Sequence, residues 1–498
     1  MKTISDEIES VLSDSSNLEG GHAARVMLPE SPEEVAEILR AASLEQTPVT
    51  VSGAGTGIVG GRVPFGGMVL ATDRLNRIKE ISRDAAGGRA VAEAGVMLSE
   101  FQRSVEAEGL LYPPDPTERS CYLGGSVATN ASGARTFKYG PTRNYISRLK
   151  IALATGELLD IARGELRADA GGHLDIPLST GRRIEARLPS YRMPQTRKHA
   201  SGYFVAEGMD AIDLFIGSEG TLGVITEVEA RLLPVPENVL SGVAFFETEE
   251  NLLAFVLEAR EASLATRDKG EQGIDARALE YFDDESLGFL RSKFSQIPEK
   301  ASGGAIFFEQ ETTSDTEDEL MSDWLQLLER HDALLDDSWF AVEEKGRARL
   351  RKFRHQLPVL VNEWLARHGQ RKVSTDMAVP DEEFRSMLRF YKESLAESRL
   401  QYVIFGHIGD NHVHVNIMPR DDGEAQAARE IYLRFVKRAV SRGGTISAEH
   451  GIGKLKRDYL GLLYTQENLR EMAALKRAFD PACILGRGNI FSEELLEQ

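Results

Sequence analysis

The sequence predicts an α+β protein built as two large units and a short closing segment. Three observations carry that expectation. Glycine-rich stretches cluster in the first half of the chain, between strand-like pieces. A proline-punctuated stretch, LPVPE at 233–237, then reads as a linker. From 238 to about 440 glycine thins, and helix-period segments alternate with apolar strands. The units expected on this basis are 1–236, 237–440 and 441–498.

Each element has a local reason. Ser31 is placed to cap a helix, Pro32 suits its first position, and Glu34 completes a capping box. Val35, Ile38, Leu39 and Ala42 then share one face. Strands are expected at 49–52, 68–71, 89–94 and 149–154. Three glycine-rich segments lie among them: GAGTGIVGG at 53–61, LGGSVATNASG at 123–133 within the loop-rich stretch 113–140, and FIGSEGTLGVITE at 215–227. Pro234 and Pro236 are expected to break any strand or helix at the linker. Beyond it, 251–262 and 321–330 read as helices, and 242–246, 305–308 and 402–408 as strands. ETTSDTEDE at 311–319 reads as a solvated acidic loop and helix start.

Composition removes several function classes. The 498 residues are 42% hydrophobic and 28% charged, an ordinary globular balance able to bury more than one core. The net charge of −19 argues against a nucleic-acid binder and against a polybasic membrane anchor. Cys121 and Cys483 cannot build a disulfide framework, and are too few for an iron–sulfur cluster. The acidic start lacks an apolar signal region, and no stretch approaches the ~18 apolar residues of a membrane span. A cytoplasmic location is therefore expected.

The first glycine segment admits two ligand readings. GTGIVG at 55–60 fits GxGxxG, follows a strand, and has Asp73 downstream, as a Rossmann nucleotide site would. That fingerprint needs a helix at its last glycines, and GRVPFGG at 61–67 forbids one. The alternative is a loop whose bare N–H groups cradle a pyrophosphate. The bland reading is a flexible surface turn. Three such segments in one unit argue instead for an extended ligand laid across backbone.

The histidines give the second signal. Four of the ten lie within 407–450, three of them in YVIFGHIGDNHVHVNIMP at 402–419. Gly409, Asp410 and Asn411 mark a turn between two strands. After it Val413, Val415 and Ile417 alternate with His412, His414 and Asn416, so one strand face is apolar and the other carries imidazole, imidazole and amide. Glu449 and His450 follow in SAEHGIG at 447–453. Imidazoles with a carboxylate suit zinc or a similar divalent ion, and three protein ligands leave an open position. The bland reading is a polar hairpin held by hydrogen bonds.

Residues 25–235 resemble the FAD-binding domain of the vanillyl-alcohol-oxidase/PCMH superfamily. The resemblance rests on VSGAGTGIVGG at 51–61, PPDPT at 113–117, LGGSVATNASG at 123–133, KYGPTR at 138–143 and IGSEGTLGVI at 216–225. It continues to FDP at 479–481, and is to the branch of D-lactate dehydrogenases, glycolate oxidase flavin subunits and D-2-hydroxyglutarate dehydrogenases. It implies a two-subdomain PCMH-type FAD-binding domain followed by a ferredoxin-like antiparallel-sheet substrate domain. It further implies that the pyrophosphate rests on Ser52, Gly53, Ala54, Gly55, Thr56 and Gly57. Pro114, Asp115, Thr117, Gly124, Gly125, Asn130, Ser132 and Gly133 would line the rest of the FAD, with Gly220 and Ile225 beside its flavin or adenine end. Some relatives tether FAD through a histidine in the first loop. This chain has none between His22 and His173, so non-covalent FAD is expected.

The same branch carries the histidine hairpin. The resemblance makes His407, His414 and Glu449 ligands of a divalent metal, zinc or manganese, and puts Asn416 and His450 beside the substrate. Arg354, in FRHQLP at 353–358, matches the position that holds the substrate carboxylate. The implied chemistry is oxidation of a 2-hydroxy acid: the metal acidifies the hydroxyl, His450 takes its proton, and the flavin takes the hydride. Ser374 and Pro358 stand where dicarboxylate-using members carry lysine and threonine, with Arg371 and Lys372 as the available substitutes. A small D-2-hydroxy acid of the D-lactate or glycolate type is therefore expected. The external electron acceptor would be a quinone, a flavoprotein, a haem protein or oxygen. The family's Gly-Asn is here Asn411-His412, leaving His412 as either an added site group or a surface variant. The usual Asn-Pro-Gly-Lys is here GRGN at 486–489. Two other readings stand beside this one: a nicotinamide dehydrogenase on a Rossmann domain, and a non-enzymatic metal-binding scaffold.

Overall fold

The Ser31 side chain accepts the Glu34 N–H at 3.2 Å and starts the helix Pro32–Glu45, whose Val35, Ile38, Leu39 and Ala42 are buried. The Glu34 carboxylate accepts the Glu30 N–H, one residue ahead of the cap. The computed structural model describes residues 2–4, as backbone, and 8–497. The helix packs on a four-stranded sheet ordered Lys2–Ile4, Arg25–Leu28, Met68–Ala71, Val49–Ser52. The last three strands are parallel. Parallel neighbours need a long crossover, and 53–67 supplies it without any helix. That removes the Rossmann reading, because no helix N-terminus stands behind the glycines.

A second sheet of six strands is antiparallel, with Ile78–Asp84, Gly87–Glu93, Val224–Pro234, Ile146–Ala152 and Leu158–Ala162 in that order and Leu110–Leu111 at one end. The strand Val224–Pro234 corrects the expected break at Pro234. It pairs Pro234 with Leu110, and the connection shrinks to 235–237. A terminal strand position does not require the N–H that proline lacks.

The third sheet has seven antiparallel strands: Trp339–Ala341, Asn238–Phe246, Gly304–Thr312, Ala276–Phe282, Gln401–Gly406, His414–Met418 and Val373–Ser374. Residues 311–312, expected in an acidic loop, complete its third strand, and the next helix starts at Glu317. Helices cover both faces. Phe308 and Ile306 meet Phe255 of Glu249–Lys269 and Trp324 of Glu317–Arg330. Phe307 and Phe282 meet Phe353 and Leu357 of Glu344–His368. Ile484 and Leu485 then return to the first sheet, with the Val49 N–H donating to Ile484 O at 2.8 Å.

Candidate active site

The third sheet ends in a corner that faces the glycine-rich unit. The strand Gln401–Gly406 stops before His407, where the backbone leaves the extended region for the turn Ile408–Asp410 and left-handed Asn411. Val413, Val415 and Ile417 are buried in the core, as the alternation predicts. His414 and Asn416 point to the opposite face, with Glu280 from the neighbouring strand and Arg354 from the covering helix.

Glu449 organises the cluster. Its Oε1 lies 3.3 Å from His407 Nε2 and 3.3 Å from His414 Nε2. The other ring nitrogens are anchored: His407 Nδ1 is 2.6 Å from Glu280 Oε1, and His414 Nδ1 donates to Thr375 O at 2.9 Å. Both imidazoles thus present Nε2 to one point. Donors about 2.1 Å from a shared ion stand roughly 3.0–3.4 Å apart at right-angled to tetrahedral geometry. The observed separations fit a divalent ion, and the Glu280–His407 pair has the form of a carboxylate-backed metal ligand. Glu449 Oε2 faces the other unit, accepting from Ser132 Oγ at 2.9 Å and from buried Lys198 Nζ at 3.3 Å. Burial alone would lower the pKa of His407, but Glu280 and Glu449 outweigh it and hold it up at about 9.

His450 stacks on His414, with centroids 5.2 Å apart and planes 12° from parallel. Its Nδ1 is 3.3 Å from Asp376 Oδ2, and its backbone N–H donates to the same oxygen at 3.1 Å. Burial holds its pKa at about 4, so the ring is neutral at neutral pH. Burial opposes ionisation of Asp376, yet His450 and Lys456 keep it well below the carboxylate range. Asp376, His414 and His450 form a second trio with metal-compatible spacing. Asp376 is already occupied there by Lys456 Nζ at 2.6 Å, by Ser447 Oγ and by two backbone N–H groups. The Glu449 trio is therefore the better ion site.

His412 is not a surface variant. It is wholly buried beside His414, with ring centroids 4.5 Å apart. Arg354 lies on the helix Glu344–His368 and turns inward. Its side chain is only 10% exposed and gives its Nε to Glu280 Oε2 at 2.9 Å, so one carboxylate joins Arg354 to His407. Asn416 is buried on the face of His414.

The glycine segments separate into two groups. An added Cβ at Gly57 or Gly125 meets nothing, and at Gly53 only the Tyr122 ring at 3.9 Å, so these backbones border open space. Gly55 is left-handed at φ +80°. Ser52, Ala54 and Thr56 complete this loop, which Arg62 braces by donating to Gly53 O at 2.7 Å. Thr117 is exposed beside the turn that begins at buried Pro114. This open, bare backbone fits an extended cofactor with a pyrophosphate. Gly124 and Gly133 instead spend their missing Cβ on the protein, where it would meet Ala94 Cβ at 2.5 Å and Asp115 O at 1.9 Å. The Asp115 carboxylate is taken up by Arg119 and Arg135. Asn130 Oδ1 accepts the Arg143 N–H. Gly220, at φ +70°, faces Val51, and Ile225 is buried in the strand Val224–Pro234. At GRGN, Asn489 donates to Gly61 O at 2.9 Å and accepts from Lys454 Nζ at 2.7 Å, fastening the first loop.

Sequence reasoning missed Glu280, Asp376 as a partner of His450, Lys198 and Glu219. Glu280 had a signal, as the single acid in the otherwise apolar run ALEYF. Glu219 accepts the Ile452 and Gly453 N–H groups at 2.7 and 2.6 Å, tying the third glycine segment to the segment bearing Glu449. Glu280→Gln is expected to weaken divalent-metal binding by about 10–100-fold through loss of the His407 anchor. Chelator competition reads this, and an unchanged affinity refutes the anchor role.

A glycine-lined cradle opposite an ion-ready histidine corner, on an α+β fold, fits a flavin-dependent oxidoreductase. Residues 23–162 match the FAD binding domain family, and residues 247–490 match the family of FAD linked oxidases, C-terminal domain. D-lactate dehydrogenase of Anaerostipes hadrus is 30% identical over 468 residues, covering 92% of this chain and 88% of that one. Glycolate oxidase subunit GlcD of Bacillus subtilis is 28% identical, with 94% and 89% covered. D-2-hydroxyglutarate dehydrogenase of Xanthomonas citri pv. viticola is 29% identical, again with 94% and 89% covered. A solved alkyldihydroxyacetonephosphate synthase shares the fold at a TM-score of 0.62 and 16% identity, over 93% of this chain and 77% of that one. The chain belongs to the FAD-linked oxidases of the PCMH superfamily, in the branch of glycolate oxidase flavin subunits, D-lactate dehydrogenases and D-2-hydroxyglutarate dehydrogenases. It is an FAD-dependent oxidoreductase related to D-lactate, glycolate and D-2-hydroxyglutarate dehydrogenases. Among the described residues no helix is long and apolar enough to cross a membrane.

Proposed function

We propose that this enzyme oxidises a small D-2-hydroxy acid of the D-lactate or glycolate type to the 2-oxo acid. Its divalent metal, zinc or manganese, is held by His407, His414 and Glu449, and its electrons pass to an external quinone, flavoprotein, haem protein or oxygen. The convergence of two anchored Nε2 atoms on Glu449 Oε1 carries this reading. Ser132 brings that carboxylate against the second glycine segment. When bound, the metal polarises the substrate hydroxyl and the flavin accepts the hydride.

The chain's own groups do the rest. Neutral His450 accepts the hydroxyl proton at Nε2, and Asp376 fixes its Nδ1 and stabilises the resulting imidazolium. Asn416 offers its amide to the substrate from the His414 face. Arg354 pairs with the substrate carboxylate through the N–H groups that Glu280 does not use. Ser52–Gly57 carry the pyrophosphate. Pro114, Asp115, Thr117, Gly124, Gly125, Asn130, Ser132, Gly133, Gly220 and Ile225 shape the remaining FAD site, several of them by packing rather than contact. The small-substrate reading rests on Ser374, which lies opposite Asn416 and places a hydroxyl where an extended diacid needs a cation.

Anaerobic mixing with D-lactate, glycolate, L-lactate and D-2-hydroxyglutarate tests the assignment. D-lactate or glycolate is expected to bleach the flavin fastest. Preference for D-2-hydroxyglutarate, or bleaching by none, overturns the substrate reading. The FAD is held without a covalent bond, so acid precipitation is expected to leave all yellow colour in the supernatant. Flavin on the pellet contradicts this. Gly55→Val is expected to give colourless protein, because a β-branched residue resists φ +80° and its Cβ collides with the Arg62 guanidinium.

A further inference from the structure

His412 has no task in the mechanism above, yet nothing about it resembles a filler residue. Its side chain is completely buried. Neither ring nitrogen has a hydrogen-bond partner in the protein. Buried polar atoms left in this state are costly and call for a partner. Nε2 lies 3.2 Å from Asp376 Oδ1 without hydrogen-bond alignment. Asp376 also has no need of it, since Lys456, Ser447 and the backbone N–H groups of Glu449 and His450 already use its oxygens. Nδ1 lies 4.0 Å from Glu449 Oε2. One donor atom from each of His407, His412, His414 and Glu449 falls within 4.8 Å of every other. The backbone fixes this placement, because His412 bridges to Ala378 immediately before the strand His414–Met418 begins.

We propose that His412 is a fourth protein ligand, so that the ion is held by three imidazoles and one carboxylate. This rests on the metal reading of the same site and extends it. Four protein donors fill a tetrahedral shell, which is the arrangement of closed structural zinc. A hydroxy acid that chelates through its carboxylate and hydroxyl needs two more positions. The four-ligand set therefore selects an ion that accepts six nitrogen and oxygen donors, such as manganese, iron(II) or cobalt(II), over tetrahedral zinc.

X-ray absorption on the wild-type holoenzyme loaded with manganese or cobalt counts the bound imidazoles directly. Three are expected, and a normally bound ion with two overturns the proposal while leaving the three-ligand reading intact. Absence of any bound ion overturns both. His412→Leu gives an independent readout. It removes only the misaligned 3.2 Å approach to Asp376, whose oxygens keep their other donors, so flavin content and the melting temperature of the metal-free protein are expected to hold. Its affinity for manganese, read by chelator competition, is expected to fall about 100-fold, at the upper end of what loss of a mere supporting partner costs. An affinity equal to wild type overturns the proposal.

Discussion

His414→Ala protein, and wild-type protein stripped with a chelator, are expected to keep the full flavin spectrum and to lose bleaching by substrate. The separation follows from the architecture. The ligands sit on the seven-stranded sheet and on the 447–453 segment, whereas the open glycine backbones belong to the other unit. The Glu449 carboxylate reaches the other unit through its Oε2, which accepts from Ser132 and Lys198, while its Oε1 faces the imidazoles. The size of the loss follows from acid strength. A metal lowers the pKa of bound water from about 15.7 to about 7, and an alcohol deprived of such help hardly ionises at neutral pH. Bleaching is therefore expected to stop on the stopped-flow timescale and to return when manganese or cobalt is added, with zinc restoring less where His412 completes the shell. Turnover that survives chelation, in protein shown to be metal-free, removes the metal from the mechanism.

His450→Ala is expected to bind metal and flavin normally and to slow flavin reduction by about 10²–10⁴, the usual contribution of a positioned general base. The ring stacks on His414, but its Nδ1 is committed to Asp376, so its loss leaves the Glu449 trio whole. Single-turnover reduction measures the rate, and metal analysis of the same sample makes the result specific. A parent rate dismisses His450 as the base. Loss of the metal instead moves the ion to the Asp376, His414 and His450 trio and makes His450 a ligand.

Much of the site was legible because it is written in local pattern. Period-two alternation after the Asp410–Asn411 turn put His412 and His414 on one side and the valines in the core. Proline and glycine after Gly60 excluded a helix, and the structure has none there. Other features failed for stated reasons. Pro234 was read as a breaker because proline lacks an N–H, but a strand's last position has no use for one. Position in a motif assigned Asp115, Gly124 and Gly133 to the cofactor, and the structure adds what holds each of them in place: Arg119, Ala94 and the Asp115 carbonyl.

By itself, the sequence determined the chemistry available to this protein: bare-backbone loops for a large anionic cofactor, and a strand face bearing imidazoles with a carboxylate to match. Those properties depend on residues a few positions apart, where strand alternation and glycine's missing Cβ act directly. Only the tertiary structure decided which groups support them. Glu280 lies 127 residues from His407, and Lys198 lies 251 from Glu449. Such partners meet because the fold brings distant elements to one buried corner, and a charge buried there is tolerated only when a distant element brings its counter-charge.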